Sequence, residues 1–111
     1  MRKLSLIRMK GIDKMLVGTL QIKLHAPYVH SLKEKRMIVK SIMGKVKNKF
    51  NVAVSEIAEQ DIHQIIVIGI ACIADHTGNC DSILDHVISF IEENSEAQML
   101  EVIRDIMSTE E

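Results

Sequence analysis

The run IIVIGIACI, residues 65–73, sets the strongest condition on any fold of this chain. It is unbroken by polar residues, too short for a typical globular helix and rich in Ile and Val, so it reads as a strand. Successive side chains of a strand point to opposite faces, and this one therefore carries apolar groups on both. A layer of helices satisfies one face. The other must be covered by something else or left as an exposed patch.

The neighbouring segments supply that layer. Residues 16–24, LVGTLQIKL, set Leu16, Leu20, Ile22 and Leu24 against Val17, Thr19, Gln21 and Lys23, a strand with one buried side. Pro27 in HAPYVH ends it. Ser31 and Glu34 have the S-x-x-E spacing of a capping box, in which each side chain bonds the other's free N–H. The helix this starts runs to about Asn48, with Leu32, Val39, Ile42, Met43 and Val46 on its apolar face. FNVAVSEIA, 50–58, reads as a second strand. In EQDIHQ, 59–64, Asp61 and Gln64 are expected to close a turn. DHTGNCDS, 75–82, reads as a loop. A second helix over about 79–94 uses Ile83, Leu84, Val87, Ile88 and Ile91 inside and Asp81, Asp85, Glu92 and Glu93 outside. AQMLEVIRDIM, 97–107, alternates again, and residues 109–111 read as a frayed acidic tail after a single domain spanning 15–108.

The order is βαββαβ, an α+β plan. Two right-handed split βαβ units close into a four-stranded antiparallel sheet with both helices on one face, the ferredoxin-like sandwich. The face of the third strand carrying Ile66, Ile68 and Ile70 is then expected to be outside, as the interface of a homodimer. Gly69 marks a bulge or a close approach. Glu56, in a strand interior, needs a partner, with Lys23 or another subunit the ordinary answer.

At 111 residues there is material for one core. No apolar run reaches the roughly 18 residues of a membrane helix, so no membrane contact is expected. The basic start, MRKLSLIRMKGIDK, is interrupted by Arg8 and Lys10 and does not read as a secretory signal. Cys72 and Cys80 fit neither a CxxC pair nor a zinc spacing, and read as free thiols of a cytoplasmic protein. His25, His30, His63, His76 and His86 have no ligand spacing that recurs, so neither a metal nor another cofactor is expected.

Charge is distributed unevenly behind a net of -1. Residues 33–49 hold seven bases and one acid, whereas residues 50–111 hold thirteen acids and one base, Arg104. In the first helix Lys33, Arg36, Lys40 and Lys47 recur at spacings of three, four and seven, one stripe beside the buried face. A helix N-terminus already carries about half a positive charge, so bases in its first turns lie against the field unless an anion is expected.

From Met15 to about Met107 the chain resembles the small bacterial YlxP-like family of unknown function, through LVGTLQIKLHAP, HSLKEKRMIVKSI, FNVAVSEIAEQD and the doubly apolar strand before Ala74-Asp75. The resemblance implies a ferredoxin-like fold and no established activity. It makes residues 1–14 look like an extension or an early start. It also implies interest in His25, Pro27, Ser31, Leu32, Lys33, Lys35, Arg36, Asn51, Glu56, Asp61 and Gln64. Genes of this family often lie beside translation and ribosome-maturation genes, which implies an RNA or ribosomal setting.

The expected site is a phosphate-binding face made of Ser31, Lys33, Lys35, Arg36, Lys40 and Lys47, with His25 and His30 close in sequence. The expected role is a non-enzymatic accessory factor contacting structured RNA or a ribosomal subunit. With only Tyr28, Phe50 and Phe90 as aromatics and none in IIVIGIACI, base stacking on the sheet is not expected. Three alternatives stand beside this reading. The bases form a solvated face offset by the acidic second helix or a partner subunit. The protein is an interaction module acting through its sheet. Or it hydrolyses phosphate esters or acyl phosphates, by analogy with acylphosphatases, although HAPYVHS holds no arginine.

Overall fold

The computed structural model describes residues 15–109, in the order β1 (Leu16–His25), α1 (Leu32–Lys49), β2 (Ala53–Ala58), β3 (Ile65–Ala74), α2 (Thr77–Asn94) and β4 (Gln98–Ser108). The strands form one sheet in the order β2-β3-β1-β4, every neighbouring pair antiparallel. This is the ferredoxin-like α+β sandwich. The expected extension, residues 1–14, lies outside the described residues, as do 110 and 111 of the expected tail. Thr109 is tied back to the start of β1: its N–H donates to the Met15 carbonyl at 2.9 Å and its Oγ1 accepts from the Met15 N–H at 2.9 Å.

The core lies between the sheet and the two helices. Leu20, Ile22 and Leu24 of β1 meet Val39, Ile42 and Val46 of α1 and Leu84, Val87 and Ile91 of α2 in one buried cluster. Each such side chain contributes about 1.5–3 kcal/mol by leaving water.

Ile66, Ile68 and Ile70 belong to this core, at 0%, 0% and 3% exposure, so they are not the outer face. The pairing register explains the correction. Leu24 stands opposite Ile66, Ile22 opposite Ile68 and Leu20 opposite Ile70, and directly paired residues share a face. A strand apolar on both sides gives no alternation from which to choose; its neighbour chose for it. The outer face of β3 is Ile65, Val67, Gly69, Ala71 and Ile73, flanked by Ile57 of β2 and, on the far side of β1, sharing the face with Ile103 and Met107 of β4.

Boundaries moved where side chains took other tasks. Phe50 is the C-cap of α1, its N–H bonded to the Val46 carbonyl at 2.9 Å, and its ring meets Phe90 edge-on at 5.5 Å. Register shifts lie in β2, between Glu56 and Ala58, and in the β1–β4 pairing, between Lys23 and Leu24, while Gly69 is a close approach: a Cβ there would sit 2.9 Å from Ile57 Cγ2. Helix α2 starts at Thr77, which brings Cys80 out of the expected loop and into the core.

Candidate functional site

Helix α1 is capped at its start by Ser31, whose Oγ accepts from the Glu34 N–H at 3.1 Å. Only this half of the capping box forms among the described residues, and it engages the hydroxyl expected to meet an anion. Along the helix Lys33, Arg36, Lys40 and Lys47 are all exposed, and among the described residues none of their side chains forms an ion pair or hydrogen bond. Ile38, Ser41, Ile42 and Lys45 line a groove of about 520 Å³ against Glu93–Glu96 at the end of α2. At 100° per residue the four-residue stripe falls on the opposite flank, beside β2 and away from the acidic helix. It extends over about 21 Å at 1.5 Å per residue.

The acids of α2 are partly committed elsewhere. Arg104 on β4 reaches Asp81 at 2.7 Å and Asp85 at 2.6 Å, and donates to the Asp81 carbonyl at 3.0 Å. The hydrogen bonds to Asp81 and then Asp85 hold its guanidinium above its usual pKa despite partial desolvation. These two acids therefore answer the chain's one late base and not the α1 stripe.

Lys35 has to be removed from the phosphate face. It is 1% exposed, and its ammonium donates to the carbonyls of Glu59 at 2.6 Å and Ile62 at 2.7 Å and stands 3.1 Å from Glu56 Oε2. That last approach is a charge contact outside good hydrogen-bond direction, and Oε2 accepts no other bond among the described residues. Within the chain Glu56 is thus answered by Lys35 and not by Lys23. Lys23 lies on the opposite face, across from Glu101. Spacing held the signal: Lys35 precedes Val39 by four and Ile42 by seven, on the apolar side of the helix.

The histidines separate. His25 sits between Ile65 and Gln98 on the outer face, so the sheet stands between it and the stripe, whereas His30 is exposed immediately before the cap. Gln64 does not close the 59–64 turn. Its side-chain amide donates to the carbonyls of Pro27 at 3.1 Å and Val29 at 3.2 Å, holding the β1–α1 loop in place. The structure therefore brings together Lys33, Arg36, Lys40 and Lys47, with Ser31 and His30 at their leading end. Among the described residues no group of three or more His, Cys, Asp or Glu is placed to hold a metal, and no helix is long and apolar enough to cross a membrane.

A family model described as "Protein of unknown function (DUF503)" matches residues 17–104. The uncharacterized protein YlxP of Bacillus subtilis (strain 168) is 44% identical over 62 residues, which cover 56% of this chain and 67% of YlxP. Among solved structures the de novo designed protein Foldit4 superposes with a TM-score of 0.52 at 14% identity, over 84% of this chain and 96% of that one. The designed protein LFR1 1 with ferredoxin fold gives 0.42 at 15% identity, over 90% and 88%. The likeness to Foldit4 concerns the fold alone.

Proposed function

The chain belongs to the DUF503 family of proteins of unknown function, and from that premise we propose that it is a cytoplasmic, non-enzymatic accessory factor that engages structured RNA, in a ribosomal setting, through the outer flank of α1. The observation that carries the reading is the unanswered stripe: Lys33, Arg36, Lys40 and Lys47 are exposed without an intramolecular counter-ion among the described residues, while Asp81 and Asp85 are held by Arg104. Four cations along about 21 Å of rigid helix suit a run of backbone phosphates. No aromatic lies on the stripe, so the contact is with the backbone and reads shape more than sequence.

The test is binding of structured rRNA fragments and ribosomal subunits at low and near-physiological salt, for the full chain, residues 15–111 and the Lys33→Ala/Arg36→Ala variant. The expected result is salt-sensitive binding by both parent proteins. Each phosphate contact removed lowers the log–log salt slope by about 0.7–0.9. No binding by the folded parent at low salt, or a variant that binds equally well with the same slope, ends the proposal.

A second reading concerns the sheet. Ile57, Ile73, Ile103 and Met107 stand 45%, 67%, 51% and 48% exposed on or beside its outer face, which supports a homodimer through that face. Four strands of 10, 6, 10 and 11 residues, about 4.8 Å apart, make a face of about 600 Å², so two meeting faces reach the lower end of stable interfaces. Such a dimer leaves both α1 stripes pointing outward, and the two readings are compatible.

A further inference from the structure

Cys72, near the end of β3, and Cys80, in the opening turns of α2, place their sulfurs 3.9 Å apart, at 2% and 0% exposure. Facing them is Gly18 of β1. A Cβ at that position would lie 2.5 Å from Cys80 Sγ and 3.0 Å from Cys72 Sγ. Glycine inside a central strand costs backbone entropy and adds no packing of its own. Here the space it leaves is filled by both sulfurs.

We infer that Cys72 and Cys80 are a latent disulfide, a modification site at which a small disulfide oxidant converts the dithiol into a staple between β3 and the start of α2. Closure requires the sulfurs to approach from 3.9 Å to the bonded distance of about 2.05 Å. Rotation about one χ1 between staggered wells moves a sulfur by about 3 Å, more than the difference to be closed. Among the described residues no group of three or more His, Cys, Asp or Glu is placed to hold a metal ion, so the pair has no further ligands beside it.

The chemistry is two successive exchanges with oxidised glutathione. One cysteine, as thiolate, attacks a glutathione sulfur and releases the first glutathione thiolate. The second cysteine, also deprotonated, attacks the protein sulfur of the mixed disulfide and releases the second. Two electrons and two protons pass from the protein to glutathione, one S–S bond forms in the protein and one breaks in the oxidant. The inferred route for the oxidant is the opening end of α2, which adjoins Cys80 in sequence. Residues 75–79 are all exposed, and the N-cap His76 makes no side-chain capping bond because its ring turns to Asp75 at 2.6 Å.

The experiment equilibrates the full chain with glutathione buffers of graded ratio, folded and in urea, followed by acid quench and intact mass. The unfolded chain has the same two cysteines at the same spacing, so the comparison isolates what the fold adds. The expected result is a Cys72–Cys80 disulfide equilibrium constant at least tenfold higher in the folded chain, with a higher thermal midpoint for the oxidised form. A constant equal to or below that of the unfolded chain, or folded protein that yields only glutathione adducts or intermolecular dimers, overturns the inference.

Discussion

The Lys35 ammonium and the Glu59 carbonyl stand 2.6 Å apart, joining the start of α1 to the turn after β2 across 24 residues of sequence. Glu59 holds φ at 58°, the left-handed region that a non-glycine residue occupies at a cost of about 1 kcal/mol or more. Lys35 offsets that cost by fixing the carbonyls of Glu59 and Ile62 on either side of the turn while neutralising Glu56.

Lys35→Met is expected to lower stability by about 3 kcal/mol, because it strands the Glu56 carboxylate and the Ile62 carbonyl, while the Glu59 carbonyl keeps only its bond from the Ile62 N–H. Glu56→Gln should cost less, since that side chain keeps 19% exposure and the Lys35 carbonyl bonds survive. Urea unfolding measures both. A loss below about 1 kcal/mol for Lys35→Met would show that water replaces the ammonium and that the clamp is dispensable.

The two faces of β3 should answer the same substitution in opposite ways. Ile68→Lys buries an unpaired charge in the core and is expected to cost more than about 4 kcal/mol. Ile73→Lys, at a position 67% exposed, should change monomer stability by no more than about 0.5 kcal/mol while splitting any sheet-face dimer. Light scattering beside urea unfolding separates the effects. A dimer that survives Ile73→Lys together with Ile103→Lys does not use this face.

Gly18→Ala should cost about 1–3 kcal/mol through overpacking against the two sulfurs. Gly18→Ala combined with Cys80→Ala should recover part of that loss, a non-additive pair, because the second change removes the atom nearest the new methyl. Thermal melts of the four proteins complete the cycle, and strict additivity would place the strain elsewhere.

Alkaline pH should weaken the fold through Cys80. Burial first, then the hydrogen bond and charge of Cys72 and the charge of Asp81, push its thiol up to about 11, with Arg104 acting the other way. The folded state therefore favours the neutral thiol. This contribution is fully present below the unfolded thiol pKa of about 8.5 and is lost as pH rises from there through the folded value. The stability difference between the parent protein and Cys80→Ala should shrink over that window, measured by urea unfolding at graded pH. A difference that stays flat to about pH 11 would contradict the raised thiol.

Local information was enough for the elements and their order. The alternation in residues 16–24, the Ser31 cap and the apolar periodicity of both helices are written in near neighbours, and βαββαβ with those faces leaves few ways to close a sheet. The basic stripe was legible for the same reason: helical spacing alone puts Lys33, Arg36, Lys40 and Lys47 on one flank. Which side of β3 faces the helices was not, since Ile66 and Ile65 are alike in character and only pairing with β1 tells them apart. Spacing put Lys35 near the apolar side of α1 but did not give its partners, since its long apolar stem lets a cation cross the core edge to carbonyls on another element. The separation of His25 from His30, the capture of Asp81 and Asp85 by Arg104 and the meeting of Cys72 with Cys80 under Gly18 were likewise decided in three dimensions. Periodicity specifies which face of an element is apolar; partners distant in sequence are chosen by strand register and packing, which exist only once the chain is closed.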